Sequence, residues 1–210
     1  MKNLFSNNTT RTVICGDSLQ LLKNYNNQKC IITSLPDMDE IGIDLPTYQF
    51  WMFDACVKLI NTLAKDGVIF FYQTNRKYKG RIIDKNAIIS LIFYKNGFDK
   101  ILEKIVLKQE PEIVNRYRPT YTNLFAFSKT LTGGQPTADV IYAGEMIYKN
   151  AMGLNAIKVC LDYVKKNVEC TTVFDPFCGQ GSVLKMANIS GYNTVGIDIL
   201  PEQCKIAESI

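Results

Sequence analysis

The sequence predicts an α/β fold in which a mostly parallel β-sheet carries helices on both faces. Short apolar runs alternate with segments of helical periodicity along the whole chain, as expected for strands that each lead into a helix. The 210 residues are 47% hydrophobic and 21% charged, which is typical of a globular domain with a full core. Because no repeat or low-complexity linker interrupts the chain, we expect a single domain over residues 1–210.

The predicted strands are short runs rich in β-branched and aromatic residues. They span 12–15, 29–34, 67–73, 101–108, 122–129, 171–175 and 194–198. The run at 67–73, "GVIFFYQ", is the most apolar and predicts a strand buried on both faces. The runs at 101–108 and 122–129 lie close enough in sequence to pair in antiparallel fashion.

The predicted helices keep apolar residues at helical spacing and carry recognisable start and stop residues. Asp17 or Ser18 caps the first, Pro46 opens the second and Gly97 closes the third. The helices span 17–25, 46–65, 84–97, 153–166 and 181–190, and a last one starts at Pro201. Residues 130–150 have weak periodicity, and loops of that length within a domain are often functional.

The chain contains no histidine. Catalysis by Ser-His-Asp or Cys-His arrangements is therefore excluded, and the commonest metal ligand is missing. The seven cysteines lie far apart and form no Cys-x-x-Cys pair, so we expect neither a disulfide framework nor a metal site. Proton transfer would fall to Asp, Glu, Lys, Tyr or Cys.

The remaining bulk properties concern location and partners. No apolar run approaches the roughly 18 residues of a membrane span, so we expect no membrane partner. The N-terminal "MKNLFSNNTTRT" lacks the apolar centre of a signal peptide, which favours an intracellular location, cytoplasmic or nuclear. The net charge of +4 is compatible with an anionic partner.

A glycine-rich turn, "DPFCGQG" (175–181), lies late in the chain between a predicted strand and a helix. Gly179 and Gly181 would let the backbone approach a ligand, and the helix N-terminus adds free N–H groups. Asp198 ends the next strand, where an acid grips ribose hydroxyls in doubly wound folds. Leu184 replaces the third glycine of the dinucleotide fingerprint, and Asp175 precedes the turn. Both features favour a cofactor with a positive charge and a free amino group.

The stretch "DPFCGQG…GIDI" resembles the S-adenosylmethionine (SAM) site of class I methyltransferases. It is most similar to the Asp-Pro-Phe-x-Gly-x-Gly form of amino (N4/N6-type) methyltransferases that act on nucleic acid bases. The pattern also resembles a group of proteins labelled DNA methylase. In one permuted branch of the family the SAM motif follows the catalytic motif, which accounts for its late position here. The resemblance implies a Rossmann-like, seven-stranded, circularly permuted sheet.

The resemblance also implies roles for individual residues. Asp175 would face the methionine amino group, Asp198 would hold the ribose, and Asp17 would contact the adenine or simply cap a helix. Cys178 is expected to fill space, because it has no partner that would activate it as a nucleophile. The implied cofactor-binding set comprises Asp17, Ser34, Asp175, Pro176, Phe177, Cys178, Gly179, Gly181, Asp198 and Ile199.

The catalytic motif of the family closes a strand with Asp, Asn or Ser, then two prolines and an aromatic residue. Here "TSLPD" supplies Ser34 and Pro36 as matches, whereas Leu35 and Asp37 depart from the pattern. In the family the polar group and a backbone carbonyl accept hydrogen bonds from an exocyclic amine. We therefore take Ser34, Pro36 and Asp37 as the candidate catalytic residues.

The missing aromatic residue matters because it stacks on a flipped-out base in the family. Tyr72, Tyr117 or Phe50 could replace it. Asp37 itself is expected to serve as a general base, to bind an amine or cationic substrate, or to be a turn residue after the proline.

Two basic clusters, "NRKYKGR" (75–81) and "NRYRPTY" (115–121), mix arginine and lysine with tyrosine as phosphate-contacting loops do, although solvated loops have the same composition. Tyr72 and Gln73 end the central strand and point into the pocket or complete the sheet. The candidate substrate-binding residues are Tyr72, Gln73, Arg76, Arg116 and Arg118.

These observations together predict a SAM-dependent methyltransferase acting on a base amine, with RNA ahead of DNA. RNA is favoured because the chain has no room for a large target-recognition region, which a shaped RNA or a partner protein would replace. Two alternatives stay open. One is a methyltransferase for a small molecule or a protein side chain, which Asp37 favours. The other is a non-catalytic scaffold subunit, which the incomplete catalytic motif favours.

Overall fold

The computed structural model describes residues 9–116 and 118–210. Residues 1–8, which form most of the N-terminal stretch without a signal-peptide pattern, lie outside the described residues, as does Tyr117. The described chain forms one eight-stranded sheet, a separate two-stranded hairpin and helices on both faces of the sheet.

The strands and helices follow one another largely as the sequence predicts. The strands are β1 (Arg11–Cys15), β2 (Gln28–Thr33), β3 (Leu63–Gln73), β4 (Arg76–Tyr78), β5 (Arg81–Ile83), β6 (Asp99–Leu107), β7 (Tyr121–Ser128), β8 (Val140–Tyr142), β9 (Thr172–Asp175) and β10 (Asn193–Asp198). The helices are α1 (Ser18–Leu21), α2 (Met38–Ile41), α3 (Leu45–Thr62), α4 (Lys85–Lys95), α5 (Leu154–Asn167), α6 (Ser182–Ile189) and α7 (Pro201–Ser209). A 3₁₀ turn at Leu22–Asn24 extends α1.

The sheet has the strand order β1-β10-β9-β2-β3-β7-β6-β8. Neighbouring strands are parallel except around β7, which pairs in antiparallel fashion with both β3 and β6. The predicted α/β fold and the predicted antiparallel pair are confirmed. The strand β9, which leads into the glycine turn, lies near the centre although it comes late in the chain.

Four elements differ from the prediction, and one of them is the short helix α2, which lies where no helix was predicted. The seven predicted strands are joined by an eighth, β8, which forms three residues of parallel pairing at the edge against β6. The basic segment after β3 is a hairpin, β4–β5, whose turn residues Lys79 and Gly80 both have positive φ. A Lys-Gly pair is a weaker hairpin signal than Asn-Gly, so the sequence alone suggested a loop.

Alternate side chains of β3 serve two hydrophobic cores. Ile69 and Phe71 pack on one face with residues of α3 and α4. Val68 and Phe70 pack on the other face with residues of α5 and α6. All four side chains are fully buried, which explains the continuous apolar run of this strand.

This division of the helices positions the site. The helix that follows β9, α6, covers one face of the sheet, whereas the long helix after β2, α3, covers the other. Where the connections after two adjacent parallel strands run to opposite faces of the sheet, a crevice opens at the carboxyl ends of those strands, and α/β proteins bind ligands there.

Within the described residues, no helix combines the length and the apolar character needed to cross a membrane.

Candidate active site

A cleft of about 570 Å³ opens at the carboxyl ends of the parallel strands. It brings together most of the predicted site residues, from both ends of the chain. Those that line it are Asp17, Ser34, Pro36, Asp37, Tyr72, Gln73, Arg118, Asp175, Phe177, Cys178, Gly179, Asp198 and Ile199. Pro176, Gly181, Arg76 and Arg116 are not among its lining residues.

The glycine turn connects β9 to α6. Gly179 has a φ of +52°, and a Cβ there would lie 2.7 Å from the hydroxyl oxygen of Tyr148. Gly181 has a φ of +83°, and a Cβ there would lie 3.0 Å from Ala207 of α7. Gly179 therefore allows a close approach within the cleft, whereas Gly181 serves helix packing rather than the predicted ligand contact.

Asp175 is buried at the end of β9. Its Oδ1 accepts hydrogen bonds from the Thr33 hydroxyl at 2.8 Å and from the Phe177 N–H at 3.2 Å. Burial raises the pKa of Asp175 to about 7, because the two hydrogen bonds only partly offset the loss of hydration. A cation beside this carboxyl group would offset the loss of hydration and favour the ionised form, which the predicted contact with an ammonium group would provide.

Asp198 ends β10 at the opposite side of the turn. Its Oδ2 accepts the Gly179 N–H and its Oδ1 accepts the Leu200 N–H, both at 2.9 Å. These two bonds fix the orientation of the carboxylate, and each oxygen keeps a further lone pair for a hydroxyl donor. Ile199 follows and is largely exposed along the cleft.

The helix-capping role that the sequence offered for Asp17 is observed, and its contact with the adenine stays a prediction. Its Oδ1 accepts the Leu19 N–H at 2.9 Å and so caps α1, while the residue also lines the cleft. The strand before it, β1, pairs with β10, and Cys15 lies opposite Asp198 in that pairing. Asp17 therefore lies close to Asp198, at the carboxyl ends of these two strands. Pro176 accepts a hydrogen bond from the buried Ser18 hydroxyl, which ties the glycine turn to α1.

The predicted catalytic motif follows β2 and is held from two sides. The side-chain amide of Gln73 donates to the Leu35 carbonyl and accepts the Leu35 N–H, both at 3.0 Å. The Tyr48 hydroxyl donates to the Pro36 carbonyl at 2.8 Å. Gln73, predicted to bind substrate, is therefore engaged in shaping the motif. The Ser34 side chain lines the cleft and makes no hydrogen bond to the described residues.

Asp37 is buried among cations. Its Oδ1 lies 3.0 Å from the Lys85 Nζ, and its Oδ2 lies 3.2 Å from Arg118 and 3.8 Å from Arg76. The Glu40 side chain accepts the Asp37 N–H at 2.7 Å. With three cationic neighbours, Asp37 is poorly suited to accept a proton or to bind a cationic substrate, and neither of those two predicted roles fits this geometry.

The other predicted substrate-binding residues divide between the cleft and its surroundings. Arg118 lines the cleft. Arg76 does not line it, and besides its contact with Asp37 it forms an ion pair with Asp39. Arg116 is exposed outside the cleft. Tyr72 is buried in the cleft wall, and its hydroxyl has no hydrogen-bond partner among the described residues.

One aromatic residue of the cleft lining, Trp51, was missed in the sequence. Phe50 points outward with 78% of its surface exposed, and Tyr117 lies outside the described residues. Trp51 lines the cleft, stacked on Tyr48 at 6.0 Å and edge-on to Phe177 at 5.8 Å between ring centres. The helical phase of α3 was the available signal, because Trp51 lies one turn after the buried Tyr48.

The segment before α5 also contributes to the cleft. Residues 146 and 148–152 line it, and the Gln180 N–H of the glycine turn donates to the Tyr148 hydroxyl at 3.3 Å. Burial raises the pKa of Tyr148 to about 12, so its hydroxyl stays protonated at neutral pH. The sequence marked the long stretch before α5 as functional but indicated no residue within it.

The residues on the β9–β10 side fit SAM. A buried carboxyl group suits an ammonium group, the fixed Asp198 carboxylate suits ribose hydroxyls, and the Gly179 backbone leaves room for close approach. The described residues include no cluster of three or more His, Cys, Asp or Glu side chains that could hold a metal ion.

Comparisons with known proteins agree with this geometry. Residues 144–209 match a family model for N6/N4 methyltransferases, described as DNA methylase. No curated protein matches the chain. The matching segment contains Tyr148, the glycine turn and Asp198.

Solved structures show the same fold. The PvuII DNA methyltransferase, which is cytosine-N4-specific, superposes with a TM-score of 0.73 at 16% identity, covering 95% of this chain and 86% of that one. TTHA0409 from Thermus thermophilus, described as a DNA modification methylase and solved with SAM, gives 0.71 at 17% identity, covering 95% and 92%. The M1.HpyAVI–SAM complex gives 0.63 at 16% identity, covering 95% and 98%.

The family model and the fold together confirm several predictions. They confirm the resemblance to the N4/N6 amino-methyltransferases and the Rossmann-like fold class. The predicted SAM-dependent methyltransferase activity agrees with the family model over residues 144–209 and with the two neighbours solved with SAM. For the acceptor, predicted to be a nucleic acid base amine, the comparisons agree with the substrate class, nucleic acid.

Proposed function

We propose that the protein transfers a methyl group from SAM to the exocyclic amine of a DNA base. One observation carries the proposal: a single cleft joins the cofactor residues at the ends of β9 and β10 to the Ser34–Pro36 motif at the end of β2. Donor and acceptor would therefore meet at the junction of adjacent parallel strands. Holding two reactants in such a site can supply much of the rate enhancement of a direct transfer.

The cofactor side would use groups that are already oriented. The Asp175 carboxylate would pair with the methionine ammonium group, and Asp198 would accept hydrogen bonds from the ribose. Asp17, Ile199 and Phe177 would surround the adenosine portion, and Tyr148 would close the cleft over the glycine turn. When bound, SAM supplies an electrophilic methyl group.

On the acceptor side, the Ser34 hydroxyl and the Leu35 carbonyl would accept hydrogen bonds from the amine; the carbonyl would use its second lone pair, since the first accepts the Gln73 side-chain amide. Gln73 and Tyr48 hold the backbone of this motif, so the two acceptors keep a fixed spacing. Accepting both amine hydrogens would turn the nitrogen lone pair toward the cofactor side. Because Asp37 is occupied by cations, we assign the departing proton to solvent rather than to a protein base.

The comparisons favour DNA over the RNA that the sequence put first. The matching family model is described as DNA methylase, and the PvuII enzyme of the same fold is a DNA methyltransferase by description. The basic hairpin β4–β5 lies beside the acceptor end of the cleft, where its Arg76 is 3.8 Å from Asp37. Lys77 Nζ links the hairpin to the loop between β6 and β7 by a 2.6 Å bond to the Asn115 carbonyl. Such a rim suits phosphate contacts on either nucleic acid.

Transfer of a labelled methyl group from SAM tests the proposal. DNA, RNA and a protein extract, each freed of pre-existing methylation, would be incubated with the wild-type protein and with Ser34→Ala. We expect label in DNA as an N-methylated base, with a much lower rate for Ser34→Ala. Label in RNA alone or in protein alone would contradict the DNA assignment, and SAM binding without transfer to any acceptor would favour the scaffold alternative.

A further inference from the structure

Positive charge is in excess at the acceptor end of the cleft. Lys85, Lys108 and Arg118 all line it, whereas Asp37 is the only carboxylate buried there among the described residues. Glu40 also lines the cleft but is exposed to solvent, which screens its charge. Three cations thus face one buried carboxylate.

Lys85 and Arg118 are both in contact with Asp37, but Lys108 is not. The Lys108 Nζ donates to the Thr74 hydroxyl at 3.0 Å, and no carboxylate of the described residues forms an ion pair with it. Burial and, to a smaller extent, the charges of Arg118 and Lys85 lower the pKa of Lys108 to about 8. A half-buried ammonium group without a counter-ion is unfavourable, and an anion beside it would relieve both effects.

The strand order places this ammonium group on the acceptor side. Thr74, to which it is bonded, follows β3, and Asp37 follows the neighbouring strand β2. Adjacent strands are about 4.8 Å apart. The cofactor residues Asp175 and Asp198 lie on the other side of β2, at the ends of β9 and β10. Lys108 is therefore placed to contact a group attached to the acceptor rather than the cofactor.

We propose that Lys108 and Arg118 form a phosphate subsite that holds a backbone phosphate flanking the target base. The proposal rests on the proposed function and names the contact by which the acceptor is held. Asp37 keeps Arg118 in place from behind, and Thr74 fixes the position of the Lys108 ammonium group. The phosphate would neutralise the excess charge and position the strand where the family's aromatic residue is missing.

Binding of a fluorescent single-stranded DNA oligonucleotide, measured by anisotropy over a range of salt concentrations, tests the subsite. Lys108→Met should weaken binding roughly three- to tenfold at low salt and reduce the slope of log affinity against log salt by about 0.7, the value for one phosphate contact on a single strand. Lys108→Arg should retain the affinity. Lys158→Met, which removes an exposed lysine outside this cleft, is the matched control and should bind as the wild type does.

A second measurement does not depend on catalysis. The pKa of Lys108, followed by NMR of its side-chain carbon, should rise when the oligonucleotide is added, because a phosphate favours the ammonium form. Equal affinity and equal salt slope for Lys108→Met and its control would overturn the subsite. Lys108-dependent binding of nucleoside monophosphates without binding of the oligonucleotide would overturn its assignment to a DNA backbone.

Calorimetric titration with SAM separates this proposal from the proposed function. Lys108→Met should bind SAM as the wild type does, since the subsite lies on the acceptor side. Loss of SAM binding in Lys108→Met would contradict the placement of Lys108. Absence of SAM binding in the wild type would contradict the proposed function, and the salt-slope comparison would still decide whether Lys108 contacts a phosphate.

Discussion

The side-chain amide of Gln73 forms a two-bond pair with the backbone of Leu35, donating to its carbonyl and accepting its N–H. The two residues lie at the ends of the neighbouring strands β3 and β2, and both are almost completely buried. The pair holds the motif that would receive the acceptor amine. Gln73, which the sequence predicted to bind substrate, therefore positions Leu35, whose carbonyl would contact the substrate.

Gln73→Ala is expected to leave the buried N–H and carbonyl of Leu35 without partners. Each unsatisfied group costs about 1–3 kcal/mol, so we expect the free energy of unfolding to fall by roughly 2–6 kcal/mol. Urea unfolding measures this loss, and SAM affinity should change little. Gln135→Ala, at an exposed loop position, is the control. A stable Gln73→Ala protein with weakened DNA binding alone would instead make Gln73 a substrate contact.

The pKa of Asp175, about 7, predicts that SAM affinity depends on pH. Only the ionised carboxyl group can pair with the methionine ammonium group, so SAM should bind more weakly as the pH falls below 7, by up to roughly tenfold per pH unit. Calorimetry between pH 5.5 and about 8 measures this trend. In Asp175→Asn the affinity should be low and nearly independent of pH, whereas a wild-type affinity that stays constant would contradict the pairing.

The same carboxyl group should lower the stability of the SAM-free protein at higher pH. Its folded-state pKa lies above the ordinary value near 3.9, so its contribution is most favourable below pH 4 and is lost as the pH rises through about 7. Asp175→Asn should therefore melt at a higher temperature than the wild type at pH 8, and the difference should shrink at pH 5. An equal or lower melting temperature at pH 8 would contradict the burial cost.

Asp37→Asn is expected to destabilise the protein, because it removes the counter-ion of Lys85 and Arg118. Removing one partner of a buried ion pair costs about 3–5 kcal/mol. Asp39→Asn, which alters an exposed partner of Arg76, is the matched control and should cost about 1 kcal/mol or less. The double variant Asp37→Asn, Lys85→Met should recover part of the loss. A general base at Asp37 would show the opposite pattern, with full stability and a strongly reduced turnover.

Trp51 is expected to stack on the acceptor base. As the single tryptophan of the chain, it reports binding directly by quenching of its fluorescence when DNA is added. Trp51→Ala should weaken DNA binding by about 1–3 kcal/mol, the usual contribution of one stacked base. Phe50→Ala, next to it on the outer face of α3, should have no such effect. Unchanged fluorescence on DNA binding would exclude a base stacked on this residue.

Local patterns were sufficient for much of the fold and for the cofactor side. The glycine turn and Asp198 lie within one strand-turn-helix-strand segment, so their spacing along the chain fixes their spacing in the cleft. Asp17 lies far from this segment in sequence, and its assignment to the cofactor side came from the family resemblance rather than from local spacing. The antiparallel pair of β6 and β7 also followed from their proximity in sequence.

Contacts between distant segments could not be predicted in this way. The neutralisation of Asp37 depends on Lys85 in α4 and on Arg118, and nothing near Asp37 in sequence indicates either. Tyr148 reaches the glycine turn from a segment with weak periodicity. Gly181 was expected at the ligand because its motif position suggests it, but its close neighbour is Ala207 in the last helix.

The most direct test of the central claim is a calorimetric titration of SAM into the wild-type protein and Asp198→Ala. Asp162→Ala, an exposed position on α5 outside this cleft, serves as the control. The account predicts one SAM bound per chain in the wild type and in the control, with binding lost or greatly weakened in Asp198→Ala. No binding to the folded wild-type protein, or equal binding to all three, would contradict a cofactor site at the ends of β9 and β10.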